Sequence, residues 1–321
     1  MLPTAAVATI TDDSQYDTDT NADSQSQEIT SQVSFDLSKN GSGESAGPVA
    51  AVGDWAPPAC WYEPKYTPAE KEQQYKDLVN TPLFSGKKEA QEGFESRFKD
   101  GDPYTDFNKK KIGKGMFWTS VRDDSRVGDD AIWACDEADF WVANGAAPKV
   151  ENAIDAETLA GLAYSKIQVP DTEVALAPEE ATKVNLPTWA WLDKTDFHEV
   201  SVTASLDVGG WNLSATTTAK PVSLKLEPGT SDATTFPASG ECTINDDGSI
   251  GAPYASGKSD ETPPCGITYL RSSGDSTYNL KATVTWDITW EGSNGEAGTL
   301  PDGTFGNEQA VTVQEIQAVN R

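Results

Sequence analysis

Apolar and polar positions alternate most regularly in the last third of the chain. Tyr278, Leu280, Ala282, Val284, Trp286, Ile288 and Trp290 occupy every second position, with mostly polar residues between them. That is the period of a long strand with one buried face. Shorter alternations run through Val200, Val202, Ala204 and Leu206, through Trp211, Leu213 and Ala215, and through Val222, Leu224 and Leu226. Gly266–Leu270 adds another strand. A last one begins at Val311 and Val313, and its change of phase toward Ile316 and Ala318 reads as a bulge. Six or seven strands separated by Gly, Pro and Asp turns predict an antiparallel Ig-like β-sandwich over residues 196–321.

Upstream the pattern is mixed. Thr67 followed by Pro68 is an N-cap with proline at the first helical position, opening a helix to about Val79. Ala90, Phe94 and Phe98 recur every fourth residue as the stripe of a second helix. Gly115–Val121, Ala131–Cys135 and Asp139–Ala143 read as short strands. Asp155 caps a further helix whose Leu159, Leu162, Ala163 and Ile167 share one face. Residues 55–170 therefore form a small α+β domain by expectation. Residues 171–195 connect it to the sandwich through a segment in which Trp189 and Trp191 point the same way. Residues 9–54 are rich in Ser, Asp, Thr, Gln and Gly and hold two aromatics and one cation. Such a stretch buries too little apolar surface to offset ordering, so residues 1–54 read as a disordered acidic tail, with Val33 and Phe35 offering one transient strand. The chain is thus expected to be mainly β: the sandwich, preceded by the α+β domain and the tail.

Charge and cysteines narrow the function. Lys plus Arg number 24 against 51 Asp plus Glu, a net charge of −27. That field repels polyanions and argues against nucleic acid and anionic lipid surfaces as partners. The four cysteines, Cys60, Cys135, Cys242 and Cys265, contain no C-x-x-C spacing for zinc. Three connectivities are open to them, and the division of one pair to each half favours Cys60–Cys135 with Cys242–Cys265. Disulfides require an oxidising compartment. Ala6-Val7-Ala8 fits the small-x-small end of a signal peptide, with residues 1–8 as its remnant. No apolar run approaches the ~18 residues of a membrane-spanning helix. A secreted or cell-surface location follows as the expectation.

Several stretches together resemble a known family. Leu186-Pro-Thr-Trp-Ala-Trp191 is followed by the alternating strands, then by Pro263-Pro-Cys-Gly-Ile-Thr-Tyr269, Ala282-Thr-Val-Thr-Trp286 and Val313-Gln-Glu-Ile-Gln-Ala-Val-Asn-Arg321. This order over residues 184–321 is similar to exported actinomycete (Streptomyces-like) proteins whose C-terminal domain belongs to the PKD branch of Ig-like sandwiches. PKD domains usually carry a Trp-Asp-Phe-Gly-Asp-Gly turn, where this chain has Leu226-Glu-Pro-Gly-Thr230. The resemblance implies a surface location and no enzymatic activity.

Candidate chemistry is sparse. His198 is the single histidine, so multi-histidine metal sites are excluded, and its place at a strand start suits a structural role. Gly251–Ser259 has five residues between its glycines where a phosphate loop has four, and Thr243–Gly248 is a turn rather than half a calcium loop. Asp123, Asp124, Asp129 and Asp130 are candidate weak calcium ligands, and no other cofactor is indicated. With Asp136, Glu137 and Asp139 they also supply the carboxylates that a glycosidase would pair. Ten tryptophans are the larger surplus, since exposed indoles stack on sugar rings. Trp118, Trp133, Trp141, Trp61 and Tyr62 are the candidate ligand-binding aromatics. The leading expectation is a non-enzymatic envelope protein that works by adhesion or structural binding to an envelope protein or polysaccharide. One alternative is a carbohydrate-binding or glycoside hydrolase-like module in residues 55–170. The other is an accessory subunit of an envelope secretion or pilus system.

Overall fold

Alternation along residues 200–311 becomes four long antiparallel strands, and most of the molecule is arranged around them. The computed structural model describes residues 31–42, 46–81, 88–179, 181–193, 198–259 and 261–315. The first six strands are β1 (Val33–Lys39), β2 (Gly47–Pro48), β3 (Ala50–Ala51), β4 (Cys60–Tyr66), β5 (Gly115–Arg122) and β6 (Phe140–Ala143). Then come β7 (Gln168–Val169), β8 (Ala175–Ala177), β9 (Thr182–Lys183), β10 (Pro187–Leu192), β11 (Val200–Val208) and β12 (Trp211–Glu227). The last are β13 (Ala233–Phe236), β14 (Glu241–Thr243), β15 (Ile250–Gly251), β16 (Gly266–Tyr269), β17 (Tyr278–Gly292), β18 (Ala297–Val311) and β19 (Val313–Gln314). Helices span Pro68–Val79, Lys88–Phe98 and Ala156–Tyr164.

A seven-stranded sheet has the order β1-β11-β12-β17-β18-β3, with β14 also on β12. A five-stranded sheet runs β13-β16-β10-β15, with β8 on β10, and a three-stranded sheet runs β4-β5-β6. The fold is mainly β with antiparallel sheets, as the sequence predicts. Leu280 through Ile288 on β17 lie on the buried face, while the intervening residues are half-buried or exposed. Val222 departs from its predicted inward place. A register shift between Pro221 and Ser223 leaves it opposite no partner, and it is 36% exposed, as a bulged residue is.

The expected tail is corrected over residues 31–42 and 46–54. β1 pairs antiparallel with β11, and β3 pairs with β18, so this segment supplies both edges of the seven-stranded sheet. Between them Asn40 binds the chain just after the third helix: its side-chain amide donates to the Lys166 carbonyl at 2.8 Å, and its side-chain oxygen accepts from Gln168 N–H at 2.8 Å. Composition misled because edge strands are held by backbone hydrogen bonds, which polar residues make as well as apolar ones. Residues 1–30, including the proposed Ala6-Val7-Ala8 remnant, and Ile316 and Ala318 lie outside the described residues.

The division at residues 170–196 is also not reproduced, since the described residues belong to one compact unit. The Asp155-capped helix, Ala156–Tyr164, packs on β11, β12 and β17. Asp155 accepts from Thr158 N–H at 2.7 Å, as an N-cap should. All but Glu157 and Thr158 of this helix are buried. Thr172 and Val174, in the expected connecting segment, are stitched to the same sheet, Val174 N–H donating to the Gln309 side chain and the Thr172 hydroxyl to the Ala282 carbonyl. At the far end, β11 and β12 form a hairpin through Gly209 and Gly210, whose φ values of 58° and 92° only glycine adopts freely. Gly209 is needed twice over, because a Cβ there would overlap the Met116 sulfur on β5. Trp211 meets Trp118 edge-on at 5.0 Å. One core therefore runs from the three-stranded sheet through the helix into the long strands.

Both expected disulfides form, Cys60–Cys135 and Cys242–Cys265. The second ties β14, on the seven-stranded sheet, to the residue preceding β16 of the five-stranded sheet.

Candidate functional site

Residues 55–59 run as a short strap between β3 and β4. Trp55 stacks on Tyr164 of the helix, with ring centroids 4.9 Å apart and an interplanar angle of 23°. Pro58 lies so close to the helix that a Cβ on Gly161 would come within 2.8 Å of its ring. Glycine at 161 thus permits the strap to sit down on the helix. On the other side, Arg126 donates to the Pro57 carbonyl and pairs with Asp129. The strap, the loop around Arg126 and the N-terminal turn of the helix enclose a cleft of about 450 Å³. Beyond Trp55, Pro57 and Arg126, its wall carries Asn152, Asp155 and Glu157, together with Cys60 of the first disulfide. An aromatic plate beside planar amide, carboxylate and guanidinium groups suits a small polar ligand with apolar faces.

The predicted site residues do not converge there. Trp118, Trp61 and Tyr62 are buried in the core. Trp61 donates its indole N–H to Glu63 at 2.7 Å, and the Tyr62 hydroxyl accepts from Glu137 N–H at 2.7 Å. Trp141 is half-buried and meets Phe117 edge-on at 5.2 Å. Trp133 alone is exposed, at 61%. Residues 131–135 are not a strand, since Asp130–Trp133 is a 3-10 turn. Asp123 and Asp129 cap the turns that follow them, accepting from Ser125 N–H and Ala131 N–H. Asp124 and Asp130 lie within those turns, largely exposed. Asp129 is also engaged with Arg126, so Asp123 and Asp129 are spent on local geometry. Among the described residues no group of three or more His, Cys, Asp or Glu side chains is placed to hold a metal ion. His198 is exposed, just ahead of β11.

Two buried charges escaped the sequence reading. Lys71, 1% exposed on the first helix, ion-pairs with Asp139 and donates to Gln74 at 2.7 Å. Its ammonium lies 4.4 Å from the Phe98 ring centroid, with the Tyr66, Phe94 and Phe117 rings within 6.0 Å. Burial lowers its pKa, and Asp139 opposes that shift. Asp139 also accepts from the Thr119 hydroxyl at 2.7 Å. This cluster locks the two N-terminal helices to the three-stranded sheet. The position of Lys71 within Glu70-Lys-Glu-Gln-Gln reads as a solvated face; only the rings brought by the second helix reveal otherwise.

Glu63, fully buried on β4, accepts from the Trp61 indole, the Ser31 hydroxyl at 2.9 Å and Gln32 N–H at 2.6 Å. Burial raises its pKa; these donors and the charge of Lys65 counter the rise. Two of the three donors come from the start of the edge segment, so Glu63 fastens β1 where it enters the sheet.

The cleft was missed because its polar lining comes from three segments, each with an ordinary local reading: a proline-rich strap, an acidic loop and a helix cap. Pro57-Pro58 following Trp55 was the available signal, since a stiff aromatic strap must rest on something. No protein-family model matches the chain, and no curated protein or solved structure does either.

Proposed function

We propose that this chain is an exported, non-enzymatic binding protein that acts at the cell envelope by adhesion or structural binding, with the cleft under the Trp55–Ala59 strap as its binding place. The observation that carries this reading is the cleft itself, about 450 Å³ beside a disulfide and walled by a proline-stiffened strap. Its walls are set before a ligand arrives, which lowers the ordering cost of binding. Export is supported by the two disulfides, which need an oxidising compartment. Binding is favoured over turnover by the use of the carboxylates: Asp155 is committed to its helix cap, and Asp123 and Asp129 to theirs. In this reading the strands of residues 196–321 form the Ig/PKD-like sandwich, which serves as spacer and rigid support.

The test is cosedimentation of the full chain with washed cell-wall preparations, together with an assay for released sugar. Ala131 is exposed and lines the cleft, so Ala131→Trp fills it without touching the core. Sedimentation that this variant abolishes, with no sugar released, supports the reading. Equal sedimentation of both proteins removes the cleft from it, and released product makes the chain an enzyme.

A further inference from the structure

The 3-10 turn Asp130–Trp133 has three residues per turn, so positions three apart lie in one column. Ala131 and Ala134 share a column, and both line the cleft. Ile132 enters the core at 8% exposure. Asp130 and Trp133 form the third column, which faces outward. A tryptophan is therefore presented on the same short turn that walls the cleft.

That indole is held in place. The Arg122 guanidinium lies 4.2 Å from the ring centroid, and its Nε donates to the Ile132 carbonyl at 3.1 Å. Arg122 is fixed beneath one face of the ring by the very turn that carries it. Cys135, two residues on, is tied to Cys60, and Asp129 caps the turn from the other side. A mobile surface tryptophan would need none of these supports. With one face backed by a cation, the opposite face is left for a ligand.

We propose that Trp133 and the cleft are adjoining subsites for a neutral or amino-sugar polysaccharide, with Trp133 stacking on one pyranose ring and the cleft holding neighbouring sugars. The inference rests on the reading of the cleft as the binding place. Sugar rings offer an apolar C–H face to an indole and hydroxyls to planar acceptors and donors. Asn152 and Glu157 in the adjoining cleft are groups of that kind. The net charge of −27 selects against uronic-acid and phosphate polymers.

Calorimetric titration of the full chain with chito- and cello-oligosaccharides, as hexamers and as dimers, tests this. Trp133→Ala alters a surface residue and keeps the fold. It is expected to weaken binding of the favoured hexamer about ten-fold while leaving the dimer's affinity unchanged. Ala131→Trp is expected to abolish both. If Trp133→Ala binds the hexamer as the native chain does, the stacking subsite is wrong and the cleft stands. If no sugar binds the native chain, yet Ala131→Trp still abolishes sedimentation with cell walls, the ligand class is wrong and a protein partner occupies the cleft. If Ala131→Trp changes neither measurement, the cleft reading itself falls and this inference falls with it.

Discussion

The Thr217 hydroxyl in the middle of β12 donates to the Ala160 carbonyl at 2.8 Å, with both residues fully buried. A helix placed by sequence in one domain is thus hydrogen-bonded inside the core to a strand placed in another. Thr217→Val keeps the shape and removes the donor, at a cost of about 1 kcal/mol. Because the helix and the sheet share a core, urea unfolding of the native chain followed by far-UV circular dichroism and by tryptophan fluorescence should trace one coincident transition. Two separated transitions would restore the two-domain division.

Lys71→Met should be the most damaging single substitution outside the long strands, costing about 3 kcal/mol. It leaves the Asp139 carboxylate with the Thr119 hydroxyl but without its cation. Asp139 is 20% exposed, so water softens the loss. The double variant Lys71→Met/Asp139→Asn should recover a large part of it. A double-mutant cycle on denaturation midpoints measures the coupling, and strict additivity would mean the pair contributes nothing together.

Glu63 makes stability depend on pH in a predictable direction. Its raised pKa means the folded chain keeps that proton to higher pH than the unfolded chain does. Stability from this group is therefore full below the ordinary glutamate value and is lost as pH rises through the raised one. Glu63→Gln is neutral throughout and should lack that decline. The check is the urea midpoint of both proteins across mildly acidic to neutral pH. Parallel curves would show that Glu63 does not titrate in this window.

The two disulfides should contribute unequally. Cys60–Cys135 spans 75 residues and Cys242–Cys265 spans 23. In the chain-entropy model these are worth about 4 and about 3 kcal/mol. Pairwise Cys→Ala variants should lower the guanidinium midpoint in that order. The first should also loosen the cleft, because Cys60 lies in its wall.

Much of this architecture was legible in the sequence, and the exceptions share a cause. The period of two through Tyr278–Trp290, the Thr67 and Asp155 caps and the cysteine pairing each depend on residues close together or on a regular repeat. The residues at fault elsewhere are those whose role is set by distant partners. Val33 and Phe35 gain a strand only because β11 offers its edge. Lys71 becomes a buried cation only because the second helix brings Phe94 and Phe98 around it. Trp133 and Trp118 read from the sequence as equivalent aromatics, and alternation cannot reveal that Trp118 closes the core while Trp133 stands outside it. The cleft was illegible for the same reason, since no two of its three walls are neighbours in sequence.

The order of synthesis gives the edge strands a further meaning. β1 and β3 leave the ribosome well before β11 and β18, the strands whose open sides they cover. A bare strand edge is a template for joining another chain, and the hazard is greatest while a protein is only partly made. Here each cover is waiting when its edge appears. The outermost strands of the long sheet are thus taken from segments already made when β11 and β18 emerge, rather than from segments still to come.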